Sequence, residues 1–144
     1  MTALEIKRYN FTPLDKVPQP VAPYAHASSC GGWFFITGQL GIDPNTNHMV
    51  SGSIVDQTNQ VMENLTAVLD NLGCKFQDVL MVRVYLANMD DYESFNAVYK
   101  TWFLGDFPSR TCIGVNGLAL GGLVEIDLTL FNPTMDVTDL GSGQ

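Results

Sequence analysis

Leu123-Val124-Glu125-Ile126-Asp127-Leu128-Thr129-Leu130-Phe131 alternates with a period of two, which is the signature of a strand whose successive side chains point to opposite sides of a sheet. Val124, Ile126, Leu128 and Leu130 make one wholly apolar face, and such a face requires a core. Leu123, Glu125, Asp127, Thr129 and Phe131 make the other, which mixes apolar and acidic groups. A strand of this kind is covered on one side by its own chain and only partly content with water on the other.

Working outward, Val79 to Ala87 is strand-like too, with Leu80, Val82, Val84 and Leu86 on one face and Met81, Arg83 and Tyr85 on the other. Trp33-Phe34-Phe35-Ile36-Thr37, introduced by Gly31-Gly32 and closed by Gly38, reads as a buried strand, followed by turn chemistry at Asp43-Pro44-Asn45-Thr46-Asn47. Thr111 to Val115 completes the strands. Between them Ile54, Thr58, Val61, Leu65, Val68 and Leu72 recur at steps of four and three, a helical face with Ser53 as N-cap and Gly73 as stop. A second helix carries Phe95, Val98, Tyr99 and Trp102, is capped by Asp90 or Asp91, and ends before Pro108. Strands and helices together read as one sheet with two helices against it. Two helices cannot cover both faces of a sheet of four or more strands, so Tyr85, Leu123 and Phe131 need another cover, and a homo-oligomer is the simplest source of it.

At 144 residues the chain suits one domain. The expected division is an extended N-terminal arm over 1–20, with Pro13, Pro18 and Pro20, a single domain over 21–133, and a flexible tail over 134–144. A net charge of −8 repels polyphosphates and anionic lipid surfaces. The seven cations form no basic stripe; only Lys7 and Arg8 adjoin, in an arm expected to be mobile, so no nucleic-acid or membrane partner is expected. No apolar leader or span opens the chain, and three separated cysteines fit a reducing compartment, so the expected location is the cytoplasm. The two histidines, His26 and His48, lack ligand spacing, and no metal is expected.

Two residues stand out for chemistry. Arg110 follows Pro108-Ser109 and opens a strand, from which its guanidinium could grip a small carboxylate with two parallel hydrogen bonds; the other reading is a surface ion pair or an inter-subunit salt bridge. Glu125 must share the mixed face with Leu123 and Phe131. If a neighbouring subunit covers that face, the carboxyl is desolvated and becomes useful as a general acid or base; otherwise it is an exposed acid or a partner of Arg83 or Arg110. Tyr24, Thr37, Asn96 and Cys112 can hydrogen-bond, and Asn96 is notable because a mid-helix Asn calls for a specific partner.

Taken together, Ala22-Pro23-Tyr24-Ala25, Thr37-Gly38-Gln39-Leu40, Asp43-Pro44, Gln57-Thr58 with Glu63-Asn64-Leu65, Asn96-Ala97-Val98-Tyr99, Pro108-Ser109-Arg110-Thr111-Cys112 and Leu123-Val124-Glu125-Ile126 resemble, in order and spacing, the Rid (YjgF/YER057c/UK114) family. The resemblance runs from about Pro20 to Phe131. It implies an α+β subunit of the chorismate-mutase-like type, a mixed sheet with two helices packed on one face, in a homotrimer, with the sheets forming a central barrel and clefts between subunits. It also implies hydrolytic deamination, without a cofactor, of a carboxylate-bearing enamine or imine of the 2-aminoacrylate or 2-aminocrotonate class to a 2-oxo acid and ammonia. In that scheme Arg110 binds the carboxylate and Glu125 positions or activates the water. Tyr24, Thr37, Gly38, Asn96 and Cys112 line the cleft, with Tyr24 and Asn96 on opposite sides of the subunit boundary. The same resemblance extends to members acting on aminomuconate-type or pyrimidine-degradation intermediates, and to a non-enzymatic 2-oxo-acid-binding or chaperone-like trimer. Departures from the family pattern at His26, Gly41, Met81 and Ala119 are expected to bear on the cleft, His26 and Met81 through its size and polarity.

Overall fold

The computed structural model describes residues 4–136. In chain order the elements are β1 Lys7–Tyr9, β2 Ala27–Cys30, β3 Trp33–Leu40, β4 Ile42–Asp43, β5 His48–Met49, α1 Ile54–Leu72, β6 Val79–Leu86, α2 Tyr92–Tyr99, β7 Ser109–Gly114, β8 Val124–Phe131 and a single turn, α3 Pro133–Asp136. Six strands form one mixed sheet in the order β1-β2-β3-β8-β6-β7, while β4 and β5 make a separate hairpin. Every pairing in the large sheet is antiparallel except β6 with β7, where the parallel register Val82↔Arg110 and Val84↔Cys112 requires a crossover, supplied by α2.

The alternation in β8 is realised in full. Val124, Ile126, Leu128 and Leu130 are buried, and with Phe34, Ile36, Val82, Val84 and Leu86 they form the sheet side of the core. α1 closes that side with Val61, Leu65, Val68 and Leu69, all essentially inaccessible; burying one such aliphatic side chain contributes about 2 kcal/mol. The helix begins and ends where its caps dictate. Ser53 Oγ accepts from Val55 N at 3.2 Å, Asp56 reaches back to Ser53 N at 3.3 Å, and Gly73 adopts φ 74° to turn the chain out. α1 and α2 lie on the same side of the sheet, so the opposite side is left open.

Several local expectations are corrected. Gly38 does not close its strand: β3 continues to Leu40 across a bulge, the register with β8 shifting between Ile36 and Gln39. A second bulge between Val79 and Met81 takes Leu80 off the core face, and Val79 is buried in its stead. Neither Asp90 nor Asp91 caps by its side chain; Asn88 does, its Oδ1 accepting from Asp90 N at 2.9 Å ahead of a 3₁₀ turn that leads into α2.

The arm differs from expectation for a physical reason. Lys7–Tyr9 pairs with β2 as an edge strand, and His26 staples the following residues down. His26 is buried; Phe11 N donates to its Nδ1 at 2.9 Å, and its Nε2 lies 2.9 Å from Pro18 O and so carries the proton. Val17 is wholly inaccessible, so packing does not stop at residue 21. At the other end Met135 packs on the core; of the expected tail, 137–144 lie outside the described residues. Among the described residues no helix is long and apolar enough to cross a membrane.

Candidate functional site

Arg110, the second residue of the edge strand β7, is paired with Val82 and therefore points to the helix side of the sheet. There it meets the ring face of α2. Its Cζ lies 4.9 Å from the ring centre of Tyr99, 5.5 Å from Phe95 and 5.9 Å from Tyr92, and its Nη2 donates to Tyr92 Oη at 3.3 Å. Residues at i, i+3 and i+7 share one helix face, which is why these three rings converge. Contact with ring faces suits a weakly hydrated guanidinium and leaves the rest of its edge, apart from the Nη2 bond to Tyr92, free for a planar anion. No carboxylate among the described residues pairs with it. The pocket beside it, about 340 Å³, is lined by Asn96, Tyr99, Lys100, Phe107, Pro108 and Arg110. Asn96 Oδ1 and Tyr99 Oη are buried with no hydrogen-bond partner among the described residues. Burial pushes the Tyr99 hydroxyl up to about 12, against the opposing pull of Arg110. Cys112 sits two residues along on the same side, and burial raises its thiol too, with Arg110 lowering it. It therefore stays a thiol at neutral pH and is no ready nucleophile.

Glu125 belongs to a different half. It pairs with Tyr85 and with Leu40 and projects from the open side of the sheet. Half-buried, its carboxyl is raised above the usual range first by desolvation and then by the charge of Asp127. Gly38, at the β3 bulge, lies against it so closely that a Cβ there would collide with the carboxylate. The bulge also aims Thr37, whose Oγ1 donates to Ala25 O at 2.7 Å and ties the bulge to the segment carrying Tyr24. The Tyr24 hydroxyl accepts from Val21 N at 3.2 Å.

The expected residues thus fall into two groups. Arg110, Asn96 and Cys112 lie on the helix side at one edge; Glu125 lies on the open side with Gly38 against it, Thr37 at the same bulge and Tyr24 in the segment before β2. Counting strands and residues along the register puts the Arg110 and Glu125 Cα atoms roughly 14 Å apart, with the sheet between their side chains. One chain does not bring them together. Arg83 is not the partner of Glu125 either, since its Nε is 2.8 Å from Asp127 Oδ1 and is engaged there instead.

Of the departures expected to bear on the cleft, His26 meets the second group at its backbone, its carbonyl oxygen accepting from Thr37 N at 3.0 Å, while its ring is bonded to the arm. His26 is the core staple described above. Met81 lies on the open face but pairs with Thr129, four residues, or about 13 Å, along β6 from the pair that holds Glu125. Gly41 has backbone reasons, because a Cβ there would sit 3.0 Å from Gln57 O. Ala119 begins an exposed turn in which Leu120 takes φ 56°.

The sequence reading missed the aromatic seat of Arg110: Phe95 and Tyr99 were legible only as an apolar stripe, and nothing linked them to an arginine in another element. It also missed what Gln57 and Asn64 do. Gln57 Oε1 accepts from Leu123 N at 2.8 Å, and Asn64 Nδ2 donates to Leu40 O and Ile42 O at 3.0 and 2.8 Å. These two buried amides pin the ends of β8 and β3 to α1 and so set where Glu125 and Gly38 meet.

Comparison with known proteins adds a context to this geometry. The family model described as Endoribonuclease L-PSP matches residues 14–131. A RutC family protein of Pyrococcus horikoshii is 41% identical over 113 residues, 78% of this chain and 90% of that one. A 2-iminobutanoate/2-iminopropanoate deaminase of the mite Dermatophagoides farinae is 38% identical over 121 residues, 84% of this chain and 93% of its own. Among solved structures, E. coli TdcF with bound serine superposes with a TM-score of 0.80 at 25% identity, covering 88% of this chain and 99% of that one.

Proposed function

This chain belongs to the Endoribonuclease L-PSP (YjgF/Rid) family, and we propose that it is a hydrolytic deaminase of small 2-imino acids, working at a site completed by a second copy of itself. The observation that carries this reading is Arg110: an arginine seated on three aromatic rings at a pocket, with no carboxylate partner among the described residues of an acidic chain. Such a group is built for an incoming carboxylate. The mite relative's name, a 2-iminobutanoate/2-iminopropanoate deaminase, and the serine held by the TdcF structure support a small α-amino- or α-imino-acid skeleton as the ligand.

In this scheme an enamine first tautomerises to the imine, and Arg110 of one copy holds its carboxylate. Glu125 of the neighbouring copy accepts a proton from water as the oxygen bonds to the imine carbon, and returns it to nitrogen. The resulting carbinolamine expels ammonia as its hydroxyl becomes the carbonyl of a 2-oxo acid. One water is consumed, no electrons change hands, and no cofactor is required. The imine also hydrolyses unaided, so holding substrate and water in register suffices for the acceleration needed. A trimer in which the open sheet faces enclose a barrel would set the two halves against one another. The family's description names an endoribonuclease, but a net charge of −8 with scattered cations offers a polynucleotide backbone little to bind.

The test is a threonine or serine dehydratase reaction with and without this protein, following 2-oxo acid release where free imine decays slowly. Faster release, lost in Arg110→Ala, is expected; an unchanged rate contradicts the reading.

A further inference from the structure

Asp127 lies two residues along β8 from Glu125 and therefore shares its face of the sheet. Both of its oxygens are taken: Oδ1 accepts from Arg83 Nε at 2.8 Å and Oδ2 from Tyr85 Oη at 3.0 Å. Both donors come from β6, and the register sets Tyr85 directly beside Glu125 and Arg83 beside Asp127. Tyr85 therefore stands opposite Glu125 while giving its hydroxyl to the next acid along the strand. Among the described residues nothing donates a hydrogen bond to the Glu125 carboxylate. On its other flank β3 presents Gly38 and Leu40, and on this face β7 presents Ser109, Thr111 and Ile113. Among the described residues the ionisable groups near Glu125 are thus Asp127, Tyr85 and Arg83.

We propose that Asp127 is a positioning residue for Glu125: by engaging Arg83 Nε and Tyr85 Oη it keeps the two donors of the neighbouring strand off the Glu125 carboxylate, leaving both oxygens open to the attacking water. This rests on Glu125 being the proton acceptor of the deaminase described above. A carboxylate that already accepts a hydroxyl and a guanidinium is a weaker base and has fewer free lone pairs. The clasp prevents that, and the Asp127 charge adds to burial in holding the Glu125 carboxyl up. Raising a base toward the working pH strengthens it as long as it remains ionised.

The experiment compares pH profiles of kcat and KM for Asp127→Asn, Asp127→Glu and Arg83→Met. In Asp127→Asn the charge goes and the freed donors turn to Glu125. The acidic limb of kcat is expected to move to lower pH, and kcat at pH 7 to fall about three- to tenfold. KM should hold within about twofold, since the carboxylate grip lies in the other half of the site. Asp127→Glu, which keeps the charge, restores the limb. Arg83→Met replaces an exposed residue and leaves Asp127 less neutralised, so it moves the limb to higher pH; it carries the test should the Asn variant melt below assay temperature. A wild-type acidic limb in Asp127→Asn, or in Arg83→Met, overturns the proposal. Glu125→Gln, measured alongside, separates the two layers: if it keeps full activity Glu125 is not the proton acceptor and the basis of the proposal falls, whereas an inactive Glu125→Gln beside an unaltered Asp127→Asn removes only the positioning role.

Discussion

Arg110 and Glu125 owe their availability to different physics. Arg110 is satisfied by ring faces, which supply attraction while leaving its hydrogen-bonding edge open except for the Nη2 contact with Tyr92 Oη. Glu125 is left open because its neighbour Asp127 takes the nearby donors. Both residues stand out in the sequence by type and setting, an arginine after Pro-Ser and a glutamate in mid-strand. Their separation onto opposite faces does not, because parity within each strand is legible but the register joining β7, β6 and β8 is set by bulges and tertiary packing. The open setting of Glu125 has a consequence for stability. Its carboxyl is raised in the folded state by desolvation, so the favourable contribution of the protonated form is complete below the ordinary value of 4.5 and is lost as pH climbs through the folded value. Glu125→Gln, which stays neutral, is therefore expected to melt higher than the parent at pH 7, by a few degrees at most. The gain should vanish near pH 4. Thermal melts at the two pH values check it, and equal melting at pH 7 would remove desolvation as the cause.

At the scale of elements, α1 was legible to the residue because its periodicity, its Ser53 cap and its Gly73 stop all agree. β1 was not: three residues are too few to show alternation, and the strand depends on an edge of β2 and on a histidine that reads as nothing special in sequence. The bulge in β3 is the more telling miss. Gly38 looks like a strand terminator, yet its use is to leave room for the Glu125 carboxylate. Gly38→Ala should displace that carboxylate while the rest of the sheet keeps its pairing. The expected result is a loss of kcat of about ten- to a hundredfold with far-ultraviolet circular dichroism unchanged. An alanine variant at full activity would show that the contact has no functional weight.

For the whole molecule the governing fact is the uncovered side of the sheet. Trp33, Phe35 and Phe131 stand exposed there, Trp33 and Phe131 with ring centres 4.9 Å apart, and Tyr85 and Glu125 are only partly covered. The mixed pattern of β8 is enough to imply this need for a cover. That the two halves of the site lie on opposite sides of one sheet is not legible in the same way, since it depends on how three strands are aligned. On the proposed reading a single chain with such a division would be inactive, and a closed ring of copies would set the Arg110 half of each against the Glu125 half of the next. Mixing tests this directly. Arg110→Ala and Glu125→Gln chains, each inactive alone, are denatured together in equal amounts, refolded, and assayed for imine hydrolysis. In a cyclic trimer about three quarters of the assemblies are mixed and each of those holds one complete site of three, so about a quarter of wild-type activity should return. If the mixture stays as inactive as its components, Arg110 and Glu125 do not meet across a boundary between copies, and the account fails at its centre.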